Sequence, residues 1–277
     1  MDVEIIAEGL QFPEGPIAMP DGSVILVEIK RQTLTRVTPD GRRETIAEIP
    51  GGPNGAALGP DGRVYVCNNG GFEWREVMGQ TISGDAPADY RGGSIVAVNL
   101  KSGKVETLYK EVGGHRLKGP NDIVFDRSGG FWFTDLGKSY HRHRDHGGLY
   151  YAKADGSRIV EAAYPLFSPN GVGLSPDEKT VYVADTFTAR LYAFDLSAPG
   201  EIAPSPLPLP GRVVGSVPGM QFFDSLAVEE NGRVCVATLL NGGVTIFAED
   251  GAFEHVPMPD LFPTNLCFGG KDRRDAY

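Results

Sequence analysis

The chain has 277 residues, a formal net charge of −10 and three cysteines. That length suits one large all-β domain or two ordinary ones and can bury a substantial core; the acidity argues against nucleic acid, whose phosphates need clustered Lys and Arg. Cys67, Cys235 and Cys267 lie far apart without CxxC spacing, which excludes a zinc framework and a dense disulfide scaffold.

The first residues, Met1-Asp2-Val3-Glu4, hold no basic region followed by an apolar stretch, so no signal peptide is expected. No run approaches the roughly 18–20 apolar residues of a membrane span. The expectation is a soluble chain of a reducing, cytoplasmic compartment with no membrane partner. Val3-Glu4-Ile5-Ile6 reads as a strand.

A polar slot then recurs six times, each before an apolar strand-like segment. The slots are Glu14 in Phe12-Pro13-Glu14-Gly15-Pro16, Asn54 in Pro53-Asn54-Gly55, and Asn121 in Pro120-Asn121-Asp122. Asn170 in Pro169-Asn170-Gly171, Asp224 in Phe223-Asp224-Ser225 and Asn265 in Thr264-Asn265-Leu266 complete the set. After each slot come an apolar run, a turn signal and a second apolar run. The signals are Asp21-Gly22, Asp61-Gly62, Ser128-Gly129, Asp177-Glu178, Asn231-Gly232 and Lys271-Asp272. Asp-Gly and Asn-Gly between apolar runs mark hairpins, because these residues tolerate positive φ. Asp40-Gly41, Ser102-Gly103, Asp155-Gly156 and Asp250-Gly251 mark second hairpins, so most units supply four antiparallel strands. No long stretch has helical periodicity.

The slots are 40, 67, 49, 54 and 41 residues apart, close to the roughly 40–50 residues of a propeller blade. The predicted fold is all-β: one six-bladed β-propeller domain over residues 1–277, four antiparallel strands per blade, closed by the N-terminal strand. The last blade is incomplete, stopping at Tyr277 in its second strand. In this topology all six slots share one face of the disc and converge on the axis. Two long loops should overhang the same mouth: Phe72 to Gly93, with Trp74, Arg75, Met78 and Tyr90, and Leu136 to Gly147, with His141, His143 and His146.

A lone Pro-Asn-Gly is ordinarily a turn. Six in register, two of them acids in a central channel, point instead to a ring of oxygens around one divalent ion. Carboxylate and amide oxygens suit Ca²⁺ or Mg²⁺ and also accept Mn²⁺, Fe²⁺ or Zn²⁺. Calcium is the expected ion. The strand-end residues Glu28, Asn68, Asp135, Asp185 and Thr238 read at least as well as backbone hydrogen-bonders as they do as support for the ligands. The three loop histidines read as a solvated rim. No Gly-x-Ser-x-Gly elbow supports a serine triad. Asn54, Asn121, His115, Trp74 and Asn265 are the candidate substrate contacts.

At Phe12-Pro13-Glu14-Gly15-Pro16, Pro120-Asn121-Asp122, Phe131-Trp132-Phe133-Thr134-Asp135, Pro169-Asn170-Gly171 and Asp224-Ser225 the chain resembles the senescence marker protein/gluconolactonase/luciferin-regenerating enzyme family. The similarity runs over essentially the whole chain. It implies a six-bladed propeller with one catalytic divalent metal, hydrolysing lactones of sugar acids. By this resemblance Glu14, Asn170 and Asp224 are metal ligands, Asn121 is a fourth ligand or holds substrate, and Asp224 is the general acid/base. Animal members carry an Arg two residues before the third slot; here Gly119 stands there beside Lys118. The expected partner is a small-molecule lactone. A phosphotriesterase or arylesterase of the same metal-propeller type, as in the related diisopropyl fluorophosphatases and paraoxonases, and a non-catalytic ligand-binding propeller are the alternatives. The oligomeric state is not legible.

Overall fold

The computed structural model describes residues 3–77, 79–205 and 211–277, so Met78 lies outside the described residues. The described residues hold strands, turns and irregular segments, and no helix long and apolar enough to cross a membrane. Among the described residues the fold is an all-β propeller of five four-stranded blades. Their innermost strands are Pro13–Ala18, Pro53–Leu58, Pro120–Phe125, Pro169–Leu174 and Phe222–Val228. The fourth blade adds a short pairing of Glu201–Ile202 with Arg190–Ala198.

The turn residues form the hairpins they signal. Asp21, Asp61, Asp126, Asp177 and Asn231 each accept the backbone N–H two residues on. Four of these turns pass a Gly through the left-handed region and one passes Glu178, at φ 56°. Neighbouring blades bury one apolar cluster after another. Ile25, Val27, Val64 and Val96 lie between the first and second blades, and Tyr65, Cys67, Phe131 and Phe133 between the second and third. Trp132, Tyr151, Val172 and Phe194, then Leu191, Phe223, Val236 and Phe247, continue the series.

The sixth blade is not formed. Phe268–Gly269 pairs with Asp275–Ala276 as a two-stranded fragment, and Val3 to Leu10 forms no strand. That segment instead lies along the first blade, where Arg43 Nη1 donates to the Glu8 and Gly9 carbonyls and Ala7 and Leu10 pack on Val24, Leu26 and Val37. The C-terminal segment spans the gap from both sides. Leu266 packs with Cys235 and Ala237 of the fifth blade, Tyr277 packs on the first, and the Thr264 hydroxyl donates to the Pro13 carbonyl. The strand expected at Val3–Ile6 finds no partner edge and stays exposed, and only Ala7 and Leu10 of this segment pack on the first blade.

One contact repeats at four blades. A side chain at the end of the second strand holds the linker that runs into the innermost strand. Glu28 accepts the Gln11 N–H at 2.7 Å, and Asn68 accepts that of Gly52 at 2.9 Å. Asp135 accepts those of Lys118 and Gly119 at 2.7 and 2.6 Å and of Gly137 at 2.8 Å. Asp185 accepts that of Ser168 at 2.7 Å. These residues are buried and committed to backbone, which settles the two readings of Glu28, Asn68, Asp135 and Asp185. Thr238 differs: its hydroxyl donates to the Val236 carbonyl of its own strand. Hydrogen bonds to a charged group contribute ~1.5–3 kcal/mol each, and a buried donor left unpaired costs a comparable amount. Asp135→Ala is therefore expected to lower the unfolding free energy by ~3 kcal/mol or more, read by urea denaturation; a loss of ~0.5 kcal/mol or less would show that the linker is held elsewhere.

Candidate metal and catalytic centre

Every innermost strand leaves register at its slot. The shifts fall between Glu14 and Ile17, Pro53 and Ala56, Pro120 and Ile123, Pro169 and Val172, and Phe223 and Leu226. A bulge puts two residues opposite one and re-aims their side chains. The glycine after the first, second and fourth slots abuts the next blade's slot backbone. A Cβ on Gly55 would stand 2.4 Å from the Asn121 carbonyl oxygen, and one on Gly171 2.8 Å from that of Asp224. These positions require glycine because the slots converge.

Glu14, Asn54, Asn121 and Asn170 are buried, and Asp224 is partly buried. Glu14 Oε2 accepts the Asn265 amide at 2.7 Å and the Gly15 N–H at 3.1 Å. Asn170 Nδ2 donates to the Thr186 hydroxyl at 3.1 Å, and its amide also reaches Asp224. The side-chain oxygens of Asn121 and Asn170 are buried with no hydrogen-bond partner. Buried polar atoms are rarely left unpaired, so these two call for an explanation.

The acids are strained electrostatically. Burial, then the charge of Glu14, raises the Asp224 carboxyl well above its ordinary range, against the opposing effect of Asn170. Burial raises Glu14, and Asn265 partly offsets it. A third acid joins them. Burial, then the Glu14 charge, pushes Asp122 up to about 7. Its carboxylate accepts the Ile123 and Val172 N–H groups at 2.9 and 3.2 Å. Asp122 was missed in the sequence, although it occupies the post-slot position filled by Gly15, Gly55, Gly171 and Ser225 elsewhere, where an acid is conspicuous.

Among the described residues no three His, Cys, Asp or Glu side chains form a metal-binding group. The donor set here is a mixture of carboxylates and amide oxygens, which is hard-cation chemistry. The two orphaned amide oxygens fit it, since each lacks a donor and is free to face a cation. Below the slots the axis opens into a cavity of about 400 Å³ whose lining includes Asp122, Val172, Leu226 and Asn265.

The other sequence candidates separate. Asn265 is tied to Glu14, and its oxygen accepts the Leu266 N–H at 2.7 Å. Trp74 lies 5.2 Å from the ring of Phe12, two residues from Glu14. His115 is exposed on the Glu111–Val112/His115–Arg116 hairpin. His143 stacks on Tyr140 at 4.5 Å in the hairpin of the second long loop. The two long loops do meet, through an Ala86 N–H to Ser139 carbonyl bond and through Lys138. That lysine is fully buried. Its ammonium donates to Asn69 Oδ1 at 3.2 Å and to the Gly71 carbonyl, and lies 3.7 Å from the Phe72 ring centroid. Burial lowers it to about 7, with Asp135 opposing. Nothing local in the sequence distinguishes Lys138 from a surface lysine. At Gly119 a Cβ would stand 2.6 Å from the Gly137 carbonyl, so the linker has no room there for a side chain.

A profile of the SMP-30/Gluconolactonase/LRE-like region matches residues 12–277, and the chain belongs to this family. It is 30% identical over 253 residues to "Lactonase drp35" of Staphylococcus saprophyticus, covering 90% of this chain and 70% of that protein. It is 27% identical over 302 residues to the "Gluconolactonase" of Zymomonas mobilis, covering 97% and 76%. Among solved structures, a gluconolactonase of Xanthomonas campestris superposes with a TM-score of 0.71 at 24% identity, over 92% of this chain and 79% of that one.

Raised acids have a signed consequence. A carboxyl whose folded value exceeds its unfolded one contributes stability that is full below the unfolded value and is lost as pH rises through the folded one. For Asp122 that window runs from about pH 4 to about pH 7, and Glu14 and Asp224 act in the same sense. The metal-free protein is expected to lose roughly a few kcal/mol of unfolding free energy across this range in urea titrations. Constant or rising stability would show that the three carboxyls ionise without penalty.

Proposed function

We propose that the chain is a divalent-metal-dependent lactonase, a carboxylic ester hydrolase acting on a small-molecule lactone. The observation that carries this reading is the pair of partnerless buried oxygens, Asn121 Oδ1 and Asn170 Oδ1, in one centre with acids that burial makes costly to ionise. Glu14, Asn121, Asn170 and Asp224 would hold one ion, for which calcium is the best match to all-oxygen donors. When bound, the ion supplies Lewis-acid polarisation of the lactone carbonyl. The curated relatives named lactonase and gluconolactonase support the same bond class.

The chain's own groups divide the remaining work. Asp224 takes the proton from the attacking water and returns it to the departing ring alkoxide. Its partial exposure admits water, while Asn170 keeps the carboxylate oriented. Asn265 fixes Glu14 through a 2.7 Å hydrogen bond to Oε2. Asn54 and Asn121 orient the lactone oxygens, and Trp74 stands at the rim beside them.

Asp224→Ala is expected to lose ~10²–10⁴-fold in kcat on a simple lactone while keeping the wild-type far-UV spectrum. Full activity in that variant would overturn its role. Stripping the ion should abolish turnover, and Ca²⁺ should restore it and raise the melting temperature. A purified protein with no stoichiometric divalent ion would turn the reading toward a ligand-binding propeller.

A further inference from the structure

The mouth of the centre is not uniformly polar. Phe167 and Phe187 are 47% and 49% exposed. Their rings meet edge to face at 6.4 Å, and Phe187 meets Phe222 in the same way at 5.8 Å. All three stand on the slot face, because each adjoins a strand end on that side. Each is also close in sequence to the centre. Phe222 is two residues before Asp224, and Phe167 is three before Asn170. Phe187 follows Thr186, whose hydroxyl takes the Asn170 amide hydrogen. Arg144 lies over the outer pair, its guanidinium carbon 5.4 Å from the Phe167 centroid and 4.7 Å from that of Phe187. It is anchored by bonds to the Asp145 and Leu136 carbonyls. The row is therefore clamped in place.

Behind Phe167 lies a cavity of about 230 Å³ lined by Pro165, Leu166, Phe167, Pro169, Val183 and Tyr192, with His146 and Asp185 at its polar side. Its wall residue Pro169 directly precedes Asn170. Exposed aromatic surface that backs on a small apolar cavity beside a reactive centre is the arrangement of a ligand subsite. A polyhydroxylated chain would need a hydrogen-bonding partner for each hydroxyl; these rings offer none, and the unpaired polar atoms beside them, Arg144 Nη1 and Gln221 Oε1, are buried.

We propose that Phe167, Phe187 and Phe222 form a shelf for an apolar alkyl or aryl substituent of the lactone, so that the preferred substrate is a hydrophobic lactone and not one derived from a sugar acid. This rests on the lactonase reading for the bond that is broken, but the shelf can be tested apart from it. In the Ca²⁺-loaded protein, kcat/KM on γ-lactones of increasing alkyl length should rise about fourfold per methylene until the shelf is filled, and should exceed that on glucono-δ-lactone. Phe167→Ala and Phe187→Ala should flatten the rise and leave unsubstituted γ-butyrolactone unaffected. Calorimetric binding of the matching 4-hydroxyalkanoates gives a readout without turnover and should show the same chain-length dependence. Hydrolysis of γ-butyrolactone with no dependence on chain length, or a preference for glucono-δ-lactone, would overturn the shelf and leave the lactonase reading standing. No hydrolysis of any lactone, with 4-hydroxyalkanoate affinity still rising with length and lost in Phe187→Ala, would uphold the shelf and overturn the lactonase reading. Affinity without chain-length dependence would overturn the shelf, and a macromolecular partner would then be the better occupant of this face.

Discussion

The clamp between a strand-end acceptor and the linker of its own blade fixes the approach to the slot in each of the first four blades. The Glu28, Asn68, Asp135 and Asp185 side chains each reach the backbone two or three residues before a slot. The linker then has one path into the innermost strand, and the bulge that follows has one register. Because side-chain direction alternates along a strand, an error of one residue would turn the slot away from the axis. The clamps are what let four separate blades deliver oxygens to a common point.

Two sets of polar groups lie within a few residues of each other and differ in their partners. The clamp oxygens are saturated by backbone N–H donors. The slot oxygens are not: Asn121 Oδ1 and Asn170 Oδ1 have no donor, and Glu14, Asp122 and Asp224 resist ionisation. Burial raises the Asp135 carboxyl as well, but three backbone N–H bonds oppose that rise, and Asp135 lacks the carboxylate neighbour that adds to the rise at Asp122 and Asp224. The protein has satisfied the acids that hold the scaffold and left the central ones short of positive charge. A cation on the axis would relieve both the repulsion among the carboxylates and the two orphaned oxygens.

What could be read in the sequence was local. The Asp-Gly and Asn-Gly turns announce themselves by residue type, and the slots by register within each repeat, so strands and bulged slot positions were legible together. The blade count was not. A strand signal at Val3–Ile6 says nothing about which edge is available, and the interface of the first blade with Ala7, Leu10 and Tyr277 decided the outcome. Lys138 was illegible for a related reason: its burial under Phe72 depends on a loop some sixty residues earlier in the chain. Asp122 could have been found, because the post-slot position is otherwise glycine or serine through the first five slots. The aromatic shelf was hidden by distance in sequence, its three rings coming from the linker before Pro169–Leu174, the turn after Thr180–Asp185 and the start of Phe222–Val228.

Glu14 joins the architecture to the chemistry. Its carboxylate is held by Asn265, whose extended, non-strand segment bridges the gap between the fifth and first blades. The same oxygen that receives this amide belongs to the carboxylate facing the axis. Ring closure and the charge state of the centre therefore share one hydrogen bond. Protonating Glu14 would relieve the repulsion with Asp224 but would weaken a charge-assisted contact across the gap. A divalent ion bound among these groups would remove that conflict, because it would lower the cost of keeping Glu14 ionised while the amide stays bound. Stabilisation by the ion should thus be felt at the seam between the first and fifth blades as well as at the ligands, since a ligand that binds only the closed arrangement favours closure by the free energy with which it discriminates.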